Sequence, residues 1–374
     1  MSDPSTEVAS NIRSRKARLQ HISAQLSNGE IWWRDHQQWL QEKGYMLRPR
    51  YRPGWIPSWE GKPDMDPLSC EDGILQSRDS LLDATRISDG QVVKLKRVND
   101  VTHRNELEVN RLFSSEPLVS HPRNHCVPVW DFLDVPGERY IHIIVMPLLQ
   151  KFNHPPFEAV GEAVEFFRQI LEGLQFMHQC HVAHRDTMDL NIMMEAAPLF
   201  PKLFHPQDTF CTADGRDLAE AKYSRTEHPV KYYLIDFGLS GIYDPYKGHT
   251  SALPVLSGDK TVPEYQNNMD RAQEVYPTDV YYIGNMIRES FLQKCTNLEF
   301  MQALIDDMVQ TDPKKRPTMD EVVRRMSEIQ RQIPWRTLRS RLTKEGGWVK
   351  SAKHVLRTIG YMATFRPAIP SPSR

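Results

Sequence analysis

The chain has 374 residues, with 47 Lys and Arg against 48 Asp and Glu, which gives a net charge of −1. Its hydrophobic share of 40% and charged share of 25% are typical of a soluble globular protein, and its length allows one large two-lobed domain or two ordinary ones. The near-neutral charge argues against a chain built around nucleic acid, because such proteins carry a clustered positive excess.

The sequence predicts an intracellular protein, cytoplasmic or nuclear. No apolar run reaches the roughly 18 residues that a membrane-spanning helix needs, and the first residues lack the apolar segment of a secretory signal. The cysteines are odd in number and lack a C-x-x-C spacing, so neither a disulfide framework nor a zinc cage is expected. They are Cys70, Cys126, Cys180, Cys211 and Cys295.

Composition divides the first 70 residues into two segments. Residues 1–28 are polar and are expected to be flexible. Residues 29–70, called the arm below, are dense in Trp, Tyr and Arg. We expect the arm to pack on a neighbouring lobe, because exposed aromatic side chains are unfavourable in water. Aromatic rings beside Arg also suit stacking on bases, so a nucleic-acid surface is the alternative, although no long basic run supports it.

Residues 71–149 predict strands and one short helix. Two β-rich runs flank the turn sequence Ser-Asp-Gly at 88–90, which is typical of a hairpin. A helix is predicted at 103–115, and an apolar strand at 141–149.

Residues 150–334 have a helical pattern. Apolar residues recur at spacings of three and four from Val160 to Met177, which predicts an amphipathic helix. A strand is predicted at 231–239. Further helices are predicted at 281–292, 298–309 and 319–329. The fold class expected is α+β, with a small β-rich lobe, a larger helical lobe and a cleft between them.

Two further segments lie outside this plan. Residues 195–230 are rich in Pro, Gly and Asp and predict a surface insert near the cleft, with a decoration favoured over a substrate platform. Residues 335–374 form a basic tail whose lone acidic residue is Glu345. A solvated, loosely attached tail is expected, and a basic amphipathic segment on an anionic membrane is the alternative.

The strongest chemical pattern is His184-Arg185-Asp186, with Asn191 five positions after the aspartate. This order is typical of a protein-kinase catalytic loop. There the carboxylate orients or accepts the proton of the substrate hydroxyl, and the Asn side chain helps to hold Mg²⁺ on the nucleotide phosphates.

A second motif, Asp236-Phe237-Gly238, follows at the end of an apolar strand. Its carboxylate is a candidate Mg²⁺ ligand, and its Phe is expected to pack into the helical core, next to His184. Either motif alone is weak, but the two together and in this order are strong.

With these motifs, residues 71–333 resemble the eukaryotic protein kinase superfamily. The resemblance implies a bilobal protein-kinase-like fold, ATP and Mg²⁺ as cofactors, and a protein as substrate. It implies that Lys96 contacts the phosphates, that Glu108 pairs with Lys96, and that Met146 and Leu148 belong to the hinge that faces adenine.

The same resemblance implies a set of structural residues. Glu264, in a Val-Pro-Glu sequence, ends the activation segment and is expected to form a buried pair with Arg316. Asp279 is expected to begin a helix and to brace the catalytic loop, in which His184 and Arg185 are structural. A narrower resemblance, to kinase-like proteins of mushroom-forming fungi, rests on sequences in the arm, on LLDATRISDG and on GDKTVPEYQ.

The chain departs from the kinase pattern at three places. Residues 71–82 contain no G-x-G-x-x-G, whose glycines let backbone N–H groups approach phosphates. Lys94 stands where kinases place Ala over adenine, so its cation either extends outward or blocks the base. Met188 replaces the Lys that offsets charge on the transferred phosphoryl group.

These features favour a protein kinase that transfers the ATP γ-phosphate to a protein hydroxyl, with weak nucleotide binding. Ser/Thr acceptors are favoured, because the loop lacks the basic residues typical of tyrosine kinases after Asp186. The alternative is a pseudokinase scaffold in which Asp186 and Asn191 only brace the loop. An adaptor that binds RNA or a membrane is less favoured, and neither is an expected partner.

Overall fold

The computed structural model describes most of the chain as two compact units. The described residues are 18–76, 78–243, 250–255, 258–266, 268–342 and 347–372, with side chains from 351 in the last segment. Residues 1–17 of the segment predicted to be flexible lie outside this set. The sheet unit contains 1–98, 130–148 and 200–220, and the helical unit contains 99–129, 149–199 and 221–374. The mixture of an antiparallel sheet with many helices is compatible with a kinase-like fold.

The sheet unit is built on a five-stranded sheet of order β1-β2-β3-β5-β4. The strands are β1 (Tyr45–Leu47), β2 (Leu81–Arg86), β3 (Val92–Asn99), β4 (Asp131–Asp134) and β5 (Ile141–Pro147). The predicted hairpin is present as the antiparallel pair β2–β3. Its turn includes Gly90 at a φ of 72°, a conformation that glycine adopts without steric cost.

The arm is part of the sheet unit, as its aromatic content predicts. It contributes helices α1 (Asn28–Asp35) and α2 (Gln37–Glu42), and then β1, which pairs with β2. Trp33, Leu40 and Tyr51 are fully buried in one apolar cluster with the residues of β2 and β3. Burial of this apolar surface is the main force that holds the arm on the sheet.

A buried arginine, Arg50, joins the arm to the segments that precede and follow it. Its Nε donates to Glu30 Oε1 at 2.7 Å, and its Nη1 donates to the carbonyl oxygens of Ser23 at 2.8 Å and Asp72 at 2.9 Å. The Arg50 side chain is 0% exposed and that of Glu30 is 4% exposed. A guanidinium can be buried only because these acceptors satisfy it.

The helical unit surrounds one long central helix, α4. Its helices are α3 (Glu106–Phe113), α4 (Val160–Gln179), α5 (Val275–Ile287), α6 (Gln302–Met308), α7 (Met319–Gln332), α8 (Trp335–Leu338) and α9 (Gly347–Ala363). The helix predicted from Val160 to Met177 is confirmed, and its apolar face is buried. The predicted helices at 281–292, 298–309 and 319–329 correspond to α5, α6 and α7.

The helical unit also contains short strands that flank its loops. They are β6 (Gln150–Lys151), β7 (Val182–Ala183), β8 (Ile192–Met194), β9 (Tyr232–Leu234), β10 (Gly241–Ile242), β11 (Ser251–Ala252) and β12 (Gln273–Glu274). β6, β8 and β9 form one sheet, β7 pairs with β10, and β11 pairs with β12. The strand predicted at 231–239 is shorter than expected, because a 3₁₀ turn begins at Phe237.

The units differ from the predicted segments in two places. Helix α3, predicted with the strands, belongs to the helical unit, where Phe113 packs against Phe176 and Phe237 with ring centroids 6.0 and 6.5 Å apart. Residues 200–220 of the insert, predicted among the helices, belong to the sheet unit.

The basic tail is attached to the helical unit, which differs from the loose tail that the sequence predicts. The backbone N–H of Val160 donates to Ser340 O at 3.0 Å. The hydroxyls of Tyr361 and Ser224 are 2.8 Å apart, and Arg357 pairs with Glu158. Because these contacts are mostly polar, an apolar periodicity gives no sign of them. Among the described residues, no helix is long and apolar enough to span a bilayer.

We expect Arg50→Ala to destabilise the protein strongly, because the Glu30 carboxylate would be left buried without its partner. Breaking a buried pair in this way costs about 3–5 kcal/mol. The measurement is the urea midpoint of the full chain. The matched control is Arg34→Ala, which removes an exposed pair with Asp35. Equal midpoints for the two variants would contradict the role assigned to Arg50.

Candidate active site

Asp186 and Asn191 are brought together by the loop between β7 and β8. Asn191 Nδ2 donates to the backbone oxygen of Asp186 at 2.9 Å and to its Oδ2 at 2.8 Å. Asn191 is buried at the end of a 3₁₀ turn that spans Asp189–Asn191. One carboxylate oxygen of Asp186 is therefore fixed, while the Asn191 side-chain oxygen is left available as an acceptor.

Asp279 lies in the second turn of α5, and not at the start of the helix as the sequence predicts, and its carboxylate binds the backbone of this loop. Its carboxylate is fully buried in α5 and accepts from the backbone N–H of His184 at 2.7 Å and of Arg185 at 2.6 Å. It also lies 3.0 Å from His178 Nε2. Arg185 has a φ of 67°, which is costly for a residue other than glycine, and the Asp279 bond helps to hold it there.

His184 fills space beside the second motif. Its ring packs edge-on against Phe237 with centroids 5.5 Å apart, and its Nε2 lies 3.1 Å from Ile235 O. Burial lowers the pKa of His184, although neighbouring carboxylates oppose the shift. A neutral His184 therefore links the catalytic loop to the Asp236-Phe237-Gly238 turn.

The environment of Asp186 suits a group that takes up a proton. Burial raises its pKa, and the charges of Asp236 and Asp279 act in the same direction, while His184 and the bond from Asn191 oppose them. Its Oδ1 is buried and has no hydrogen-bond partner among the described residues. A carboxylate with one fixed oxygen, one unpartnered oxygen and a raised pKa has the properties of a general base.

Gly258 lies close to that unpartnered oxygen. A Cβ at this position would stand 2.7 Å from Asp186 Oδ1, so the Asp186 side chain would have to shift. The φ of Gly258, 89°, lies in a region that glycine adopts without strain. Both features favour glycine where this segment lies against the catalytic loop.

The side-chain oxygens of Asn191 and Asp236 suit Mg²⁺, whose coordination is completed by phosphates and water. They suit a metal that takes all its ligands from the protein less well. Asn191 Oδ1 and the Asp236 carboxylate are hard oxygen donors, which Mg²⁺ prefers. Burial is the main cause that raises the pKa of Asp186, and the Asp236 charge adds to it, so a cation nearby would favour the ionised carboxylate. Among the described residues, no group of three or more His, Cys, Asp or Glu could hold a metal. Mg²⁺ tolerates so few protein ligands because substrate phosphates and water complete its coordination.

Helix α3 presents Glu106, and not Glu108, to the second motif. Glu106 is 1% exposed, and its Oε2 lies 3.4 Å from where a Cβ of Gly238 would stand. Glu108 is exposed. Residues two apart on a helix point in nearly opposite directions, so only one of them can face inward. Glu106, Val109 and Phe113 are buried at spacings of three and four, a pattern that could have identified Glu106 from the sequence.

In the sheet unit, Lys94 and Lys96 lie on the same face of β3. Lys96 is paired with Leu81, and Lys94 with Asp83. Met146 is near the end of β5, and Leu148 follows that strand. These residues therefore have the strand positions that the sequence predicts, and the structure adds Asp83, which the sequence analysis did not single out.

The insert covers the Lys94–Asp83 pair. Lys94 Nζ donates to Pro206 O at 3.1 Å, and Gln207 Nε2 donates to Asp83 Oδ1 at 2.7 Å. Burial lowers the pKa of Lys94 to about 8, although the Asp83 charge opposes the shift. The Lys94 side chain therefore bonds to the insert, and its predicted effect on a bound base stays a prediction.

Glu264 and Arg316 form the ion pair expected from the sequence. Arg316 Nη2 is 2.6 Å from Glu264 Oε2, and its Nη1 is 2.8 Å from Oε1, with 0% of the Arg316 side chain exposed. Arg316 also donates to the carbonyl oxygens of Gln310 and Pro277 at 2.8 and 2.9 Å. This pair ties the end of the activation segment to the start of α5 and to the loop before α7.

We expect Arg316→Ala to lower the melting temperature sharply, because Glu264 would remain buried without a counter-charge. The cost of breaking such a pair is about 3–5 kcal/mol. Differential scanning calorimetry measures it. Arg324→Ala, which removes an exposed pair with Glu321 on α7, serves as the control and should melt close to wild type. A normal melting temperature for Arg316→Ala would refute the role of the pair.

We expect Asp186→Asn to melt at a higher temperature than wild type at neutral pH. The folded pKa of Asp186 is raised, so its charged form destabilises the fold above that pKa, and this cost is absent below the ordinary value of 3.8. The advantage of the variant should therefore shrink as the pH falls to about 4. Melting curves of both proteins across pH measure the difference. A variant that is less stable at neutral pH would contradict the electrostatic account.

Comparison with known proteins supports the protein kinase superfamily. No protein-family model matches the chain. The serine/threonine-protein kinase CAK1 of Saccharomyces cerevisiae is 26% identical over 178 residues, covering 45% of this chain and 39% of the relative. Mitogen-activated protein kinase 17 of Arabidopsis thaliana is 25% identical over 194 residues, covering 42% of this chain and 37% of the relative. The matched part of the chain thus spans less than two fifths of the length of each relative.

Proposed function

We propose that the chain is a protein kinase that transfers the γ-phosphate of ATP to a Ser or Thr hydroxyl of a protein. The observation that carries the proposal is the state of Asp186: its Oδ2 is fixed by Asn191, its Oδ1 has no hydrogen-bond partner among the described residues, and burial raises its pKa. A group of this kind can take the proton of an attacking hydroxyl.

In the proposed reaction, the acceptor oxygen bonds to the γ-phosphorus as the bond from that phosphorus to the bridging oxygen breaks. ADP leaves with the bond electrons, and the hydroxyl proton passes to Asp186 Oδ1. Asn191 and Asp236 would hold Mg²⁺, which supplies positive charge against the phosphate oxygens. Lys96 would contact the phosphates, and Glu106 would take the role that the sequence assigns to Glu108.

The acceptor residue and the residues that face adenine are proposed from the likeness to other kinases. Serine or threonine is proposed because a match is to a serine/threonine-protein kinase, and because the loop after Asp186 lacks the basic residues of tyrosine kinases. Met146 and Leu148 are proposed to face adenine. The narrower likeness to fungal kinase-like proteins stays a prediction.

The proposed enzyme is slow. Met188 supplies no charge to the transferred phosphoryl group, and loss of one such contact often lowers the rate by about 10²–10³-fold. Without a glycine-rich loop, fewer backbone N–H groups can approach the phosphates, so nucleotide binding should be weaker. Turnover should therefore fall below the ~1–100 s⁻¹ usual for kinases.

A direct assay tests the proposal. We expect slow Mg-dependent transfer of radiolabelled γ-phosphate to a mixture of Ser/Thr peptides by the wild-type chain, and none by Asp186→Asn. Asp189→Asn, which changes an exposed carboxylate of the same loop, is the matched control and should keep the activity. Absence of transfer by the wild type, or equal transfer by Asp186→Asn, would sink the enzyme proposal.

The second candidate is a pseudokinase scaffold, and one observation favours it. The bonds from Lys94 to Pro206 and from Gln207 to Asp83 place the insert over the position where kinases keep a small residue for adenine. In this reading the insert replaces the nucleotide, and the retained loop residues have a structural role only.

Lys94→Ala separates the two candidates, because it removes both the cation and the anchor of Pro206. If the insert only competes with nucleotide, the thermal shift caused by Mg-ATP should be larger in Lys94→Ala than in wild type. Lys202→Ala, an exposed lysine of the same insert, should behave as wild type. No Mg-ATP shift in any of the three proteins would favour the scaffold.

A further inference from the structure

Helix α9 (Gly347–Ala363) exposes its apolar face, whereas an ordinary surface helix exposes its polar face. Its apolar residues point to solvent, with Leu356 70% exposed and Ile359 52% exposed, and Phe365 just after it is 94% exposed. Val355 and Leu356 lie four and three positions before Ile359, and Met362 lies three positions after it, so the four form one continuous stripe. Surface helices normally bury such a stripe against the core.

The opposite face of α9 is polar and is the one attached to the protein. Arg357 pairs with Glu158, and His354 Nε2 lies 2.8 Å from Arg339 O. The hydroxyl of Tyr361 lies 2.8 Å from that of Ser224. These contacts orient the helix, so the exposure of the stripe is built into the fold.

The segment that carries the stripe is cationic. From residue 346 to residue 374 the sequence contains no Asp or Glu, and its cations are Lys350, Lys353, Arg357, Arg366 and Arg374, of which Arg357 is paired with Glu158. Lys353 and Arg366 are exposed near the two ends of the stripe. An apolar stripe bordered by cations is complementary to a surface that is apolar inside and anionic outside.

We propose that α9 is a docking site for anionic phospholipid membranes. The helix lies in the plane of the interface, with Leu356, Ile359 and Phe365 among the acyl chains and the lysine and arginine side chains at the headgroups. It has 17 residues and carries charge, so it rests on the bilayer rather than crossing it. Pairing of two copies through the stripe is disfavoured, because it would bring two cationic helices together without counter-charges.

The test uses the full chain in vesicle co-sedimentation. We expect binding to phosphatidylcholine vesicles that contain about one third phosphatidylserine, weaker binding at high salt, and little binding to pure phosphatidylcholine. The double variant Leu356→Ser/Ile359→Ser should bind roughly tenfold more weakly, because it loses apolar area and keeps the charge.

The matched control is the double variant Val101→Ser/Leu218→Ser, which removes exposed apolar side chains elsewhere, 53% and 74% exposed. It should bind as wild type. Because the stripe is exposed, all variants should fold, which melting curves check. Unchanged binding by Leu356→Ser/Ile359→Ser would overturn the proposal. So would a wild-type dimer in light scattering that becomes a monomer in this variant and does not bind vesicles.

Discussion

The buried pair between Arg48 and Asp83 holds three distant segments of the sheet unit together. Arg48 Nε donates to Asp83 Oδ2 at 2.7 Å, its Nη1 donates to Glu71 Oε1 at 2.7 Å, and that same nitrogen lies 3.2 Å from His205 Nε2. Asp83 is 1% exposed, and a buried carboxylate needs a counter-charge to be stable in the fold. The arm, strand β2 and the insert are therefore coupled, because each supplies part of one charge network.

This network leaves charged side chains, already hydrogen-bonded, on β2 and β3. Asp83 and Lys94 are paired across β2 and β3, and Gln207 and Pro206 satisfy them from the insert. This surface of the sheet therefore carries charges that are already bonded, where the kinase resemblance implies a small apolar residue. The helical unit, in contrast, keeps Asp186 with one oxygen that has no hydrogen-bond partner among the described residues.

The sequence allowed the catalytic loop to be predicted because its chemistry is local. Asp186 and Asn191 are five positions apart, and the motif defines their roles. The contact from Gln207 to Asp83 joins residues 124 positions apart, and no local pattern encodes such a distance. Arg50 was missed for the same reason. The sequence predicts a loosely attached tail instead of a docked α9, because the attachment runs through polar side chains that no apolar periodicity indicates.

Hydrogen–deuterium exchange of the insert tests the central claim, that the insert and nucleotide compete for the Lys94–Asp83 surface. Peptides that cover 200–220 would be followed with and without saturating Mg-ATP. Displacement of Pro206 and Gln207 from β2 and β3 predicts faster exchange of these peptides when nucleotide is bound. Unchanged or slower exchange, in a protein that demonstrably binds Mg-ATP, would contradict the claim.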